Sequence, residues 1–519
     1  MSERVVVVGA GLGGLAAAAE LAAMGAEVTL CEAQATPGGK ARRVRVGDAK
    51  VAGGPTVFTM RWVFDALFER LGTRLEDHLS LHRADILARH AWPDGTRLDL
   101  FADQARSEAA VAEFAGGEEA ARFARFSARA ERLYRTFAKT MIEADKPGPL
   151  QVARAVGARF GVLADMGFGG TLWQALRSEL RDPRLRQLFA RYSTYVGGSP
   201  FLSPALLMLI WHVERSGVWL VEGGIHRVAQ VLAGLAETQG ARLRYNAPIA
   251  EILVERGRTA GVRLTTGERI EAGAVVFNGD QAALSAGLLG PRVRRAVRAL
   301  PRRARSLSAL TLCLHAKTEG WPLAHHSVIF GADYRAEFDE ILRARRLPSD
   351  PTVYLCAEDR TGPTPPRGPE RLLAIINAPA DGDRRAFTDQ EIETCQTKAL
   401  TVLARSGLRL SLPDAGAIAT SPAGFETLFP ATGGALYGRA PHSCAASFLR
   451  PGARTRIPGL YLAGGSVHPG AGVPMATLSG RMAARAWAGD RASTSASIPA
   501  ATSGGMSMPS PTTAPTPSR

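Results

Sequence analysis

The stretch VVVVGAGLGGLAAAAELAAMGAEVTLCEA, residues 5–33, decides the fold. Val5–Val8 is an unbroken β-branched run, the pattern of a strand buried on both faces. Gly9, Gly11 and Gly14 follow in G-x-G-x-x-G spacing. The first glycine permits a tight turn, the second lets backbone approach a pyrophosphate, and the third lets helix and strand pack closely. Leu15–Met24 is rich in alanine and leucine and predicts a helix that ends at Gly25. Its N-terminus turns free N–H groups toward the phosphates, and Leu12, within the glycine turn, is expected at the cofactor. Glu27–Cys31 predicts the second strand. Glu32 then stands where a carboxylate grips ribose hydroxyls. Strand, glycines, helix, strand and acid occur in the order a dinucleotide site requires.

The next residues separate FAD from NAD. Thr36-Pro-Gly-Gly-Lys-Ala-Arg-Arg43 brings a second glycine pair and adjacent cations. It resembles the extended motif of the FAD-containing amine oxidase and carotenoid desaturase superfamily, where Gly39 and the cation at the Lys40 position lie near the pyrophosphate. Backbone N–H groups and one cation neutralise two phosphates. No second G-x-G-x-x-G follows a strand, so a pyridine nucleotide is not expected as an obligate partner. Gly54, Pro55 and Thr56 fall in Val51–Met60, a loop expected to pass close to the cofactor.

Composition narrows the class. The chain has 519 residues, too many for one simple core. Net charge is +15, carried mostly by arginine. That balance fits a face for anionic lipid, whereas no basic run interleaved with aromatics points to nucleic acid. The five cysteines are scattered without a C-x-x-C pair, which disfavours a zinc site or disulfide framework and suits a reducing compartment. No secretory leader and no spanning run of about 20 apolar residues is legible. The expected location is the cytoplasmic side of a membrane, attached peripherally.

Further along, residues from about 80 to 205 read as an inserted helical segment, including one helical stretch over Glu108–Phe137. Phe201–Arg215 is the most apolar stretch, expected as a core helix or as a helix lining a lipid-facing tunnel. Short strands are expected at Arg242–Tyr245, Ile249–Glu255, Thr259–Thr265, Arg269–Ala272 and from Ala274, and later near Ser308–His315 and Arg371–Asn377. Asp389–Ser406 predicts a helix. Leu460–Ala463 predicts a strand running into Gly464-Gly-Ser-Val-His-Pro-Gly-Ala-Gly-Val-Pro474 and a helix from near Pro474. This glycine-rich strand-to-helix turn again offers N–H groups to an anion or a flavin edge. Asp490–Arg519 is Ser/Thr/Pro/Ala-rich and reads as disordered.

Taken together, these motifs resemble the phytoene-desaturase-type carotenoid dehydrogenases from Arg4 to about Gly489. Within them the chain is most similar to the 1-hydroxycarotenoid 3,4-desaturases of phototrophic bacteria, on His325–Phe330, Asp333–Phe338, Asp350–Tyr354, Gly434–Gly438 and Val473-Pro-Met475. One departure is Gly279, where alanine is common. The resemblance implies an α/β Rossmann-like FAD-binding domain with an interleaved mixed α+β substrate domain. The FAD domain would comprise residues 1–80, 216–304 and 446–489, and the substrate and membrane-associating domain residues 81–215 and 305–445. It implies flavin contacts at Gly464, Gly465, Gly472 and Val473, and it places His468 in the cofactor-binding loop.

The implied reaction is introduction of a C-3,4 double bond into an acyclic 1-hydroxycarotenoid. Hydride goes to the flavin and a proton leaves the neighbouring carbon, with a quinone or oxygen as final electron acceptor. A hydroxyl near the chain end needs one polar partner in an apolar tunnel, for which His325, His326 and Tyr334 are candidates. No catalytic residue is legible, and no metal is expected. The alternatives left open are a phytoene or neurosporene desaturase, another amine-oxidase-like flavoenzyme, and a lipid carrier on the same fold.

Overall fold

Val5–Val8 are all buried, and the Arg4–Val8 strand pairs in parallel with Glu27–Cys31 on one side and Ala274–Phe277 on the other. The computed structural model describes residues 3–496 apart from 149, 152–153, 155–156, 158–164, 167–168, 363, 365, 414–415 and 447. The parallel sheet has five strands, in the order Leu460–Leu462, Ala274–Phe277, Arg4–Val8, Glu27–Cys31, Arg242–Arg244. Arg4–Val8 and Ala274–Phe277 are covered on both faces, which is why their sequences show a run and not an alternation. Removing one such valine from water contributes about 1.5–3 kcal/mol.

The first helix, Leu12–Ala23, begins earlier than Leu15, and its residues from Leu12 to Ala22 are all buried. An element apolar all round belongs in a core. It packs on the Ile225–Thr238 helix and on the long C-terminal helix Val473–Ala496. Small side chains permit very close approach there. A Cβ on Gly480 would stand 2.0 Å from the Gly13 carbonyl oxygen. Glu20 and Arg481 form a buried ion pair between the same two helices, Nε to Oε1 2.6 Å.

The second sheet has eight strands. Its path runs Arg409–Ser411, Ser308–Glu319, Glu370–Ala378, Val353–Ala357, His326–Ile329, Ile86–Ala91 and Arg97–Phe101, and Ala417–Thr420 also pairs with Ser308–Glu319. Side chains alternate between its two faces. On Glu370–Ala378, Leu372, Ala374 and Ile376 join one apolar core, whereas Arg371, Ile375 and Asn377 line a cavity on the other face.

Expectations for residues 80–216 are corrected. The segment from about 80 to 205 is not wholly helical, because Leu81–Arg83, Ile86–Ala91 and Arg97–Phe101 are strands. The last two form a hairpin closed by Asp94 and Gly95, with Asp94 Oδ1 accepting from the Thr96 amide. Glu108–Phe137 is two helices, Gln104–Ala115 and Gly117–Phe137, split at Gly116 with φ 90°. The apolar Phe201–Arg215 stretch is a short 3-10 turn, Ala205–Met208, followed by the Leu209–Ser216 helix, because Pro204 delays helix entry.

The C-terminal helix also overruns Gly489. Asp490, read as the start of a disordered tail, accepts from Arg454 Nε at 2.9 Å and from the Tyr461 hydroxyl at 2.9 Å. Those bonds carry the helix to Ala496; residues 497–519 of that expectation lie outside the described residues. Among the described residues no helix is long and apolar enough to cross a membrane.

Candidate functional site

A cavity of about 1470 Å³ runs along the ends of the parallel strands and continues beneath the large sheet. At one end Glu32 is buried and holds two backbone amides, Ala10 N–H at 2.6 Å and Gln34 N–H at 2.9 Å. A carboxylate has about four acceptor positions, so two remain for ligand hydroxyls. Next to it lies the glycine turn. Gly9 has φ 100°, and its N–H donates to the Cys31 carbonyl at 2.8 Å. Gly11 caps the first helix with no side-chain hydrogen bond, so the leading N–H groups are open to an anion.

Asn278 closes this turn from the neighbouring strand. Its Nδ2 donates to the Gly9 carbonyl at 3.2 Å, while its buried Oδ1 has no partner among the described residues. A Cβ on Gly11 would stand 2.7 Å from Asn278 Nδ2, and one on Gly14 would stand 2.1 Å from the Gly9 oxygen. These glycines are therefore required by contact. Asn278 follows the strand expected from Ala274, yet nothing in one sequence marks its side chain as the brace of the first turn.

Of the residues expected at the cofactor, Gly9, Gly11, Leu12, Glu32, Gly39, Lys40, Gly54, Pro55, Thr56, Gly464, Gly465, Gly472 and Val473 all line this cavity. Gly14 does not; it packs behind the turn. Gly54 sits where a Cβ would come within 1.8 Å of the Lys40 carbonyl oxygen. Gly464 N–H donates to Ser479 Oγ at 2.7 Å, fixing the second glycine turn onto the C-terminal helix.

Lys40 Nζ donates to the Leu436 carbonyl at 2.6 Å and lies 5.1 Å from the Phe429 ring centre. Burial pushes its ammonium below the usual lysine value, against the opposing pull of Asp280. This cation therefore reaches the 429–436 segment instead of standing free for a phosphate. His468 does not line the cavity, because its Nε2 pairs with the Ala144 carbonyl at 2.8 Å.

Beyond the glycine turns the wall becomes apolar, with Val196, Leu209, Ile210, Val213 and Ile375. Its polar members are mostly paired with one another. Arg191 Nη1 donates to the Tyr195 hydroxyl at 2.8 Å, and Tyr195 donates to Glu214 Oε1 at 3.1 Å. Tyr192 donates to the other Glu214 oxygen. Burial pushes the Glu214 carboxyl up, while Tyr192, Arg191 and Tyr195 pull it back. The Arg191 guanidinium lies over the rings of Tyr195 and Tyr354, at 4.8 and 5.1 Å. The Tyr354 hydroxyl bonds Thr56 Oγ1 at 2.6 Å and His326 Nδ1 at 2.8 Å.

The three proposed hydroxyl partners divide. His325 Nδ1 bonds the Arg360 carbonyl at 3.0 Å and its Nε2 lies 3.6 Å from Cys356 Sγ, so its ring is committed. His325, His326 and Cys356 lie close enough to share an ion, with ligand atoms within 4.8 Å, but they sit off the cavity wall. Burial keeps His326 neutral, far below the usual histidine value. Tyr334 alone of the three lines the cavity, and its hydroxyl has no partner among the described residues.

The sequence pattern described as flavin containing amine oxidoreductase matches residues 12–487. The chain belongs to that family. This flavin containing amine oxidoreductase is 51% identical over 516 residues to hydroxyneurosporene desaturase from Rubrivivax gelatinosus, spanning 99% of this chain and 98% of that protein. It is 47% identical to hydroxyneurosporene desaturase from Cereibacter sphaeroides over 95% of this chain and 99% of that one. Phytoene dehydrogenase from Streptomyces griseus is 34% identical, over 94% and 96%.

Among solved structures, a putrescine oxidase bound to putrescine superposes with a TM-score of 0.57 at 17% identity, covering 95% of this chain and 99% of that one. An oxidoreductase from Methanosarcina mazei gives 0.56 at 16% identity, covering 92% and 99%. These two share the fold. The enzyme is an FAD-dependent oxidoreductase. The open helix N-terminus, the glycines that admit no Cβ, the orphaned Asn278 oxygen and the Glu32 carboxylate all fit that cofactor.

Proposed function

We propose that this enzyme introduces a C-3,4 double bond into acyclic 1-hydroxycarotenoids. The observation that carries the reading is continuity: one cavity holds the dinucleotide cradle and an apolar wall of Leu209, Ile210, Val213 and Ile375. A polyene has no acidic proton and offers the protein mainly apolar surface. Desaturation removes a hydride from one carbon and a proton from its neighbour, and the electron pair left by that proton becomes the new π bond. FAD supplies the two-electron acceptor when bound.

The chain's own residues align the polyene along the apolar wall and exclude water from it. The internally paired Arg191, Tyr195 and Glu214 present little unbalanced charge to an allylic cation forming nearby. A membrane supplies the substrate. Leu202 and Leu449, 49% and 52% exposed, offer anchors for peripheral docking on the cytoplasmic side, and Arg335 lies over the adjacent Phe201 ring at 4.5 Å. Electrons then pass to a membrane quinone or to oxygen.

The test is reconstitution of the FAD-loaded protein on anionic liposomes with 1-hydroxyneurosporene or phytoene, with a quinone or under oxygen. A red shift of the hydroxylated polyene alone, by one conjugated double bond, is expected. New chromophore from phytoene instead would assign the enzyme to phytoene. No change in either, with FAD bound and both acceptors supplied, would overturn the carotenoid reading. Floating the liposomes after binding tests docking, with L202E/L449E expected to stay in the soluble fraction.

A further inference from the structure

Asn377 departs from the pairing seen elsewhere on the substrate wall. It lines the cavity, and its Nδ2 donates to Glu337 Oε1 at 3.1 Å. Its Oδ1 makes no hydrogen bond among the described residues. Glu337 is 2% exposed, and its other oxygen accepts from the Thr352 amide at 3.3 Å. A carboxylate accepts only, so it dictates the amide's orientation. The NH₂ turns to Glu337 and the carbonyl oxygen turns away from it.

One more unspent group, the Tyr334 hydroxyl, belongs to the same corner. The sheet register pairs Tyr354 with Ile375 and continues antiparallel, which brings Thr352 alongside Asn377. Tyr334 lies one helical turn before Glu337 in the Tyr334–Asp339 helix. The Tyr334 hydroxyl is buried without a partner among the described residues, and both Thr352 and Tyr334 line the cavity. A buried polar group without a partner costs free energy unless a ligand supplies one. The cavity wall also holds Ile375 and Val196, and the Phe201 ring lies 6.4 Å from that of Tyr334.

We propose that this corner binds the substrate's tertiary hydroxyl: Asn377 Oδ1 accepts its hydrogen, the Tyr334 hydroxyl donates to its oxygen, and Glu337 acts as the positioning residue. The inference rests on the carotenoid reading above. A hydroxyl on C-1 is two carbons from C-3, so fixing it fixes which carbons stand at the flavin. The corner thus sets both the choice of substrate and the position of the new double bond.

The test compares 1-hydroxyneurosporene with neurosporene, which has the same polyene and no hydroxyl, in the FAD-loaded full chain at pH 8. Binding is read from perturbation of the flavin spectrum and turnover from the visible spectrum. The wild type is expected to prefer the hydroxylated chain in both. N377L and, as a milder change that keeps the ring packing, Y334F are each expected to lower that preference by about 10–100-fold, the worth of one buried hydrogen bond left unmade. E337Q is expected to lower it in kcat/KM while flavin content stays at one per chain.

An unchanged preference in N377L and Y334F would overturn the inference, as would equal binding of the two chains by the wild type. In either case turnover of carotenoid would leave the wider reading standing. Wild-type protein that holds FAD yet neither binds nor converts any carotenoid would overturn the wider reading and this one with it.

Discussion

Arg481→Met removes one partner of the buried pair that ties the first helix to the last. The side chains of Arg481 and Glu20 are 9% and 2% exposed, and the Nε–Oε1 distance is 2.6 Å. Arg481 also donates to the carbonyls of Val63 at 3.3 Å and Ala66 at 3.4 Å, in the first half of the Trp62–Arg70 helix. The substitution leaves a carboxylate buried without a partner, which costs about 3–5 kcal/mol. Loss of the two long carbonyl contacts adds little. Against a total stability of about 5–15 kcal/mol this is a large loss.

Glu20→Leu in the same background removes the stranded charge and fills its volume with carbon. The double variant is expected to regain all but about 1 kcal/mol, because a well-packed apolar pair often equals a buried ion pair. Equilibrium urea unfolding of the four proteins, followed by tryptophan fluorescence and far-ultraviolet circular dichroism, gives the coupling energy. The double-mutant cycle should show coupling above about 2 kcal/mol. A cost below about 1 kcal/mol for R481M, or a double variant as unstable as the sum of the singles, would refute the account of how these helices are joined.

Glu32→Gln should weaken FAD binding by at least about tenfold while leaving the fold intact, because it exchanges a charge-assisted acceptor for a neutral one; titration of the apoprotein with FAD, read by flavin fluorescence, checks it. Gly14→Ala should abolish FAD retention, since its Cβ would stand 2.1 Å from the Gly9 oxygen; flavin per chain after desalting measures this. Burial pushes the Glu337 carboxyl up to about 7, partly offset by the bonds from Thr352 and Asn377. The unfolded chain releases this proton near the ordinary value of 4.5, so stability falls as pH rises from there to about 7 and levels off above. E337Q should remove about 3 kcal/mol of that pH dependence, measured as the difference between the two proteins' urea midpoints across the window.

The cofactor half of the molecule was legible because its information is local. A β-branched run, three glycines at fixed spacing, an alanine-rich helix and one acid lie within Val5–Glu32, and each constrains its immediate neighbours. Gly464–Val473 works the same way. The brace on that turn was not legible. Asn278 is 269 positions from the Gly9 carbonyl it bonds, and only the parallel pairing of Ala274–Phe277 with Arg4–Val8 brings it there.

The substrate wall was harder still. It combines Tyr195, Leu209, Tyr334 and Asn377, from segments far apart in the chain. Whether a residue of Glu370–Ala378 faces the cavity depends on a two-residue alternation that a one-position slip would invert. The hairpin at Trp92–Thr96 was there to be read, since Pro-Asp-Gly lies between alternating runs. Arginine-rich surroundings hid it inside a stretch that looked helical. The overrun of the last helix depends on Asp490 meeting Arg454 and Tyr461, which no local pattern announces.

The order of strands in the parallel sheet has a consequence for biosynthesis. Arg4–Val8, made before its sheet partners, sits in the middle, and its neighbour Ala274–Phe277 takes its own outer partner from Leu460–Leu462. The helices Leu12–Ala23 and Val473–Ala496 pack together over one face of that sheet, and strands Ile249–Glu255 and Arg258–Leu264 cover the other. On the ribosome the Arg4–Val8 strand and its helix must therefore wait, with apolar faces open, until Leu460–Leu462 and the Val473–Ala496 helix have emerged. Contacts of such sequence separation close slowly, and the waiting surface is where aggregation begins. The dinucleotide cradle is complete only when the last helix docks. Loading of the cofactor is thus a post-translational event, and a nascent chain arrested before residue 460 should acquire none.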